Sequence, residues 1–325
     1  MRSPRGLLTA SGYLAGRHAP SPSVSTTGHN SLLARTFQIL AQPESVRLQK
    51  HPAPNSGILE LRLERPEVKN AINWDMMRML RSAIEKIQAD TTAKVVLVAS
   101  SVPGAFSAGA DLKERRLMSS SDVGGYARSL RSTFSSFEAL PIPTIAVIEG
   151  AALGGGLELA LACDLRICGE NAELGLPETS LAIIPGYTEP NQNYQSNLLP
   201  SAALYRAGGT QRLPRIIGRS RAKELIFTGR RCGAAEAVTM GLANYCVPAG
   251  EAYQKALDIA CEITQKGPMG IRMAKKAINE GAEVADMSSA LAIEGECYEQ
   301  LLYTQDRVEA LAAFAEKRKP VYTGK

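Results

Sequence analysis

The sequence predicts an α/β body followed by an all-helical C-terminal region. Short β-branched runs alternate with helix-periodic stretches up to about residue 250, an alternation that favours a substantially parallel sheet. From Glu251 onward only helical periodicity remains, and no repeat of about 20 to 50 residues runs through the chain.

Residues 1–43 stand apart from that body. They hold no Asp, Glu or Lys, four arginines (Arg2, Arg5, Arg17 and Arg35), and many Ser and Thr. Such an Arg- and Ser-rich, acid-poor composition predicts a mitochondrial transit peptide, hence the matrix as destination, with a plain disordered tail as the alternative. Gly6-Leu7-Leu8-Thr9-Ala10 is too short and broken for the apolar block of a secretory signal. Without the four arginines, 33 of the 37 Lys and Arg face 32 Asp and Glu, so the body carries a net +1 rather than +5. A near-neutral body argues against a protein built mainly to grip nucleic acid.

The elements follow in order. Ile58-Leu59-Glu60-Leu61-Arg62-Leu63 alternates apolar and polar like a half-exposed strand, ended by Arg65-Pro66. Asp75 to Ala89 places Met76, Leu80, Ala83, Ile84 and Ile87 on one helical face. Lys94 to Val98 and Thr144 to Ile148 read as buried strands, each leading into a glycine-bearing turn. The C-terminal helices should break near Gly267-Pro268, Gly281 and Thr304. No run approaches the roughly 18 apolar residues of a membrane span. The six cysteines form no C-x-x-C pair, so buried thiols are expected rather than a zinc site, and no metal is expected.

Two glutamates stand out because each sits in a glycine-marked turn. Glu158 follows Leu153-Gly154-Gly155-Gly156-Leu157, a turn before the helix expected to carry Leu159 to Cys163, and Glu178 closes Gly175-Leu176-Pro177-Glu178. The only histidines, His18, His29 and His51, all fall in N-terminal sequence expected to lie outside the folded domain, which leaves no imidazole for proton transfer. Two carboxylates so placed suggest addition or removal of a small molecule by paired proton transfers. The turn Ala105 to Leu112 and the Gly154-Gly155-Gly156 turn are both rich in small residues, so their backbone N–H groups can approach a ligand closely. If both face one pocket they can form an oxyanion hole; each alone is more often simple punctuation. Neither matches a dinucleotide-binding or P-loop pattern.

Ala105 to Lys113, Gly150 to Asp164, Gly175 to Gly186 and Gly208 to Pro214 together resemble the enoyl-CoA hydratase/isomerase, or crotonase, family, over about Ile58 to Lys325. The resemblance implies a ββα spiral core over residues 50–250 and a helical trimerisation region over 251–325. It implies a hydro-lyase that adds water reversibly across the 2,3 double bond of an enoyl-CoA thioester, without a cofactor, since coenzyme A belongs to the substrate. By the family pattern Ala110 and Gly155 donate their N–H groups to the thioester oxygen. Glu158 orients or deprotonates water, and Glu178 protonates the α-carbon. The substrate and its coenzyme A moiety are expected along Arg65 to Asn70, including Lys69, along Ala108, Gly109, Asp111 and Leu112, at Gly186, and at Phe314 and Lys317 on the last helix. A homotrimer or homohexamer is implied. Some members bind AU-rich RNA through lysines spaced four apart on an early helix; the matching positions here are Trp74, Arg78 and Ser82, so RNA is not an expected partner. Straight-chain, methyl-branched and 3-methylglutaconyl substrates stay open; the last needs a cation near its distal carboxylate, which sequence alone does not place.

One feature departs from the family. Ile184-Pro185-Gly186 is separated from Ala207-Gly208-Gly209-Thr210-Gln211-Arg212-Leu213 by twenty extra residues, 187–206. Only eight residues lie between Glu178 and this insert, which leaves two readings open: a tolerated loop, or a chain that folds and assembles but is catalytically impaired.

Overall fold

A computed structural model describes residues 44–183, 185 and 207–325. The expected transit segment 1–43, Gly186 and the insert 187–206 therefore lie outside the described residues. The first strand, β1 (Val46–Lys50), pairs antiparallel with β2 (Ile58–Leu63). Its alternating Val46 and Leu48 carry a strand signal that the sequence reading passed over. Helix α1 (Trp74–Ala89) starts at Asn73, whose side chain accepts from the Met76 N–H, and buries the five apolar residues expected plus Met77. Then come β3 (Val95–Ser100), β4 (Ala105–Ser107), the short α2 (Leu112–Arg115) and α3 (Ser120–Glu138). They are followed by β5 (Thr144–Ile148), β6 (Ala151–Leu153), α4 (Gly155–Leu161), β7 (Leu165–Gly169) and β8 (Glu173–Gly175).

The chain thus repeats a long strand, a three-residue strand and a helix. The long strands build a six-stranded sheet in the order β1-β2-β3-β5-β7-β10, parallel except at β1, where β10 is Tyr245–Val247. The short strands build a second sheet, β4-β6-β8-β9, in which β9 (Arg231–Gly233) is the antiparallel edge. Between β8 and β10 lie α5 (Gly209–Ile217), α6 (Arg219–Thr228) and α7 (Ala234–Met240). The C-terminal helices are α8 (Ala252–Thr264), α9 (Pro268–Gly281), α10 (Met287–Glu299) and α11 (Gln305–Ala315), with breaks where Gly267-Pro268, Gly281 and Thr304 place them. No helix among the described residues is long and apolar enough to cross a membrane.

Strand periodicity divides the large sheet between two cores. Leu59, Leu61, Val96, Val98, Ala146 and Ile148 pack toward α1 and the second sheet. Ile58, Val95, Leu97, Ile145 and Val147 pack under Ala252, Ala256 and Ala260, a small-residue stripe of α8 that lets the helix lie close to the sheet. That covering helix corrects the half-exposed reading of β2, because Glu60 is 2 % exposed. Its carboxylate accepts from Gln49 Nε2, Tyr253 Oη on α8, and Arg62. Burial alone would raise the Glu60 carboxyl, but these hydrogen bonds outweigh it and hold it below its ordinary value. His51 is corrected too: its N–H donates to Ile58 O, and its ring Nε2 lies 3.2 Å from Tyr253 Oη, inside the folded unit. Of the cysteines, Cys163, Cys168, Cys232 and Cys297 are buried, while Cys246 and Cys261 are partly exposed.

Arg166 on β7 fastens the end of α4 to the approach to β10. Buried to 6 % exposure, it donates to Leu242 O (2.6 Å), Cys163 O (2.7 Å) and Ala160 O (3.3 Å). Arg166→Met leaves these carbonyls without a donor, so it should cost about 2–4 kcal/mol, read as a lower denaturant midpoint at unchanged slope.

Candidate active site

Three adjacent parallel strands of the small sheet, β4, β6 and β8, release their C-terminal ends side by side, and the candidate residues emerge there. Beyond β4, Ile72 pairs with the Ala110 segment: Ile72 N donates to Gly109 O (2.7 Å), and Asp111 N donates to Ile72 O (2.9 Å). With its neighbours turned toward Ile72, Ala110 presents its N–H to the opposite side. Gly109 has φ +89°, and a Cβ there would lie 2.7 Å from Leu153 O and 3.1 Å from Gly155 N. Glycine is what lets the end of β4 touch the end of β6.

Helix α4 begins at Gly155 itself, so Gly155 N–H is the first unsatisfied donor of a helix N-terminus. A methyl on Gly155 would sit 3.6 Å from Ala110 N, which places the two donors beside each other. The Ala108 N–H, by contrast, is spent on Lys69 O at 2.9 Å.

Glu158 lies one helical turn into α4 and is 2 % exposed. Its Oε1 accepts from Gly209 N at 2.6 Å, at the start of α5 and 51 residues along the chain. Burial first, then the negative charge of Glu178, push its carboxyl up to about 8, against the pull of the Gly209 N–H and Arg212. Glu178 stands in a short 3-10 helix, Pro177–Leu181, beyond β8. Gly154, at φ +52°, makes room for it, since a Cβ there would fall 2.9 Å from Glu178 Oε1. Burial lifts Glu178 to about 7 while the charge of Arg115 draws it down. Its Oε2 is buried without a hydrogen-bond partner among the described residues.

Both carboxylates, Ala108 to Ala110, Gly154 and Gly155 line one cavity of about 140 Å³. Sequence reasoning missed the rest of its wall: Arg115 from α2, Tyr126, Ala127 and Leu130 from α3, and Leu181, Ile183 and Ala207. Tyr126 and Leu130 are one helical turn apart and carried a periodicity signal, but nothing local tells core from cavity. Tyr126 Oη donates to Ile72 O at 2.6 Å, so its hydroxyl braces the Ala110 segment.

The remaining candidates divide. Leu112 lines the cavity and is half exposed. Asp111 caps α2 through the Lys113 and Glu114 N–H groups and accepts from Arg65 Nη1 at 2.8 Å. Burial would raise Asp111, and the Arg65 hydrogen bond and the cap outweigh that and hold it below its ordinary value. Asn70 is fully buried, donating to Ser100 Oγ and Phe106 O, while Lys69 is exposed. Phe314 and Lys317 lie exposed at the end of α11, away from the cavity lining of this chain.

The description "Enoyl-CoA hydratase/isomerase" fits residues 53–194 and 189–325, two matches that meet inside the 187–206 insert. The chain is 55% identical over 311 residues to "Probable enoyl-CoA hydratase 2, mitochondrial" of Arabidopsis thaliana, covering 96% of this chain and 95% of that protein. It is 45% identical over 285 residues to "Methylglutaconyl-CoA hydratase, mitochondrial" of Homo sapiens, covering 86% and 78%. Among solved structures, enoyl-CoA hydratase from Bacillus anthracis superposes with a TM-score of 0.77 at 41% identity, covering 86% of this chain and all of that one.

Proposed function

The chain belongs to the enoyl-CoA hydratase/isomerase family, and from that premise we propose how its cavity hydrates an enoyl-CoA thioester. It is a hydratase-type enzyme with a crotonase-like α/β fold, and a mitochondrial one, like the Arabidopsis and human relatives named above. In our reading Ala110 and Gly155 N–H groups receive the thioester oxygen as it gains negative charge on attack at the β-carbon. Glu158, whose charged form the Gly209 N–H stabilises, takes a proton from the attacking water, and Glu178 delivers one to the α-carbon; because Glu158 is raised the higher of the two, the pair's single proton must pass to Glu178 before it acts. Glu178, which lines the cavity beside a second raised carboxyl and whose Oε2 is buried without a hydrogen-bond partner among the described residues, carries this reading. The step as drawn calls for no cofactor beyond the coenzyme A of the substrate.

The pair should act only while it holds one proton. Below both values there is no base, and above both there is no acid. A bell-shaped kcat/KM profile is therefore expected, with its limbs near about 7 and about 8, and a flat profile across that range would count against the pairing.

Exposed Lys69 and Lys113 are the cations we assign to the coenzyme A phosphates. We take 50–250 as the catalytic core, 1–43 as the cleaved address, and 251–325 as the region that assembles subunits. Ile278, Met287, Leu291, Leu311 and Phe314 are all more than half exposed on its helices, apolar surface that a trimer or hexamer would cover. Phe314 and Lys317 would then act in a neighbouring subunit's site.

A second reading is favoured by the split match and by Ala207, the first residue after the insert, which lines the cavity. On that reading residues 187–206 impair turnover. Following the absorbance of crotonyl-CoA with the full chain and with a chain lacking 187–206 tests both. Hydration by both supports the first reading, hydration by the shortened chain alone supports the second, and hydration by neither overturns the function.

A further inference from the structure

We propose that Arg115 is the specificity residue of this cavity and receives the distal carboxylate of an enoyl-CoA whose acyl chain ends in an acid. The inference rests on the hydratase reading above and names the substrate class that the same site prefers. Arg115 is the only cation among the described cavity-lining residues. The wall around it is otherwise apolar or spent: Leu112, Ala127, Leu130, Leu181 and Ile183 offer no polar side-chain group, and the Tyr126 hydroxyl is held by Ile72 O.

The acids nearest Arg115 in sequence are committed elsewhere. Asp111 takes the Arg65 guanidinium and the start of α2. Glu114 accepts from the Trp74 N–H. Arg115 itself makes no side-chain ion pair among the described residues, although it is half-buried. Its charge nevertheless reaches the cavity, where it pulls the Glu178 carboxyl down and that of the Tyr126 hydroxyl likewise. A half-buried guanidinium with five donors and no side-chain ion pair among the described residues is free to take an anion at this wall, and a planar carboxylate matches its fork. With the thioester oxygen at Ala110 and Gly155 and the α-carbon at Glu178, a chain running on along that wall brings its far end to Arg115.

The test compares ligands that differ only in the terminal group. Glutaryl-CoA and butyryl-CoA are saturated and cannot be hydrated, so their affinities report the pocket alone; glutaconyl-CoA and crotonyl-CoA add turnover. The expected result is a preference for the carboxylated member of each pair that falls by roughly 10- to 100-fold in Arg115→Gln and is partly kept in Arg115→Lys. Ratios equal in the native protein and in Arg115→Gln overturn the proposal. That holds whether both ligands weaken together, as a contact to coenzyme A phosphate requires, or both pH profiles shift together, as simple tuning of Glu178 requires. If neither enoyl-CoA is hydrated but the glutaryl-to-butyryl ratio still depends on Arg115, the hydratase reading fails and this one stands.

Discussion

Glu178→Gln is expected to lower kcat for enoyl-CoA hydration by about 10³-fold or more, with KM changed only a few-fold. The amide keeps the shape of the side chain and can still hydrogen-bond a water, but it has no proton of suitable acidity for the α-carbon. Two further consequences separate loss of the acid from simple damage. With the Glu178 charge gone, the Glu158 carboxyl should fall from its raised value, because like charge is one of the two causes that lift it. Residual activity should then show a single ionisation in place of a bell. Stability should move the other way from activity. Both carboxyls have an ordinary value of 4.5 in an unfolded chain and are raised in the folded one. Between those values the folded protein holds protons that the unfolded chain has released, so stability falls as pH rises from about 4.5 through about 7 and 8. Glu178→Gln removes one such group and should melt at a higher temperature than the native protein at pH 8. A variant within tenfold of native kcat would exclude Glu178 as the acid.

Gly109→Ala should be nearly as damaging, through geometry instead of chemistry. Gly109 combines φ +89° with a Cβ position 2.7 Å from Leu153 O and 3.1 Å from Gly155 N. A methyl group there meets backbone on both sides, so the ends of β4 and β6 must part, and Ala110 and Gly155 cease to aim at one point. Loss of an aligned oxyanion donor is worth roughly 10²- to 10³-fold in kcat. Left-handed strain and the clash should together cost about 1–3 kcal/mol of stability. Gly104→Ala is the control: φ is +69°, yet nothing lies within 4 Å of the new methyl. It should show the backbone strain in its denaturant midpoint and leave kcat/KM within a few-fold. Equal kcat losses in the two variants would mean that the approach of β4 to β6 does not matter for turnover.

Much of this molecule is legible locally because its signals are local. The stripe of α1 and the β-branched runs of β3 and β5 depend on periodicity within one segment, as do the Gly, Pro and Thr breaks among the C-terminal helices. Glu158 and Glu178 were visible for the same reason, since the glycines that admit them sit within a few residues. Strands of three residues leave no periodicity to read, so the small sheet that aligns the site was not visible. Glu60 reads as a solvent-facing position until Tyr253, 193 residues away, closes over it. Arg115 reads as one more exposed charge on a short helix.

Residue chemistry along the chain was sufficient to single out the candidate groups, two carboxylates and two small-residue turns, and to mark the longer elements, β2, α1, β3, β5 and the breaks among the C-terminal helices. Tertiary structure alone decided which N–H groups are free, since that depends on Ile72 occupying one side of Ala110 and Lys69 occupying Ala108. It likewise decided that Gly209 steadies Glu158 across 51 residues and that a lone guanidinium faces the cavity. The reason is physical: propensity and periodicity act over a few residues, whereas desolvation, which raises both carboxyls, is set by atoms that meet only when distant segments pack.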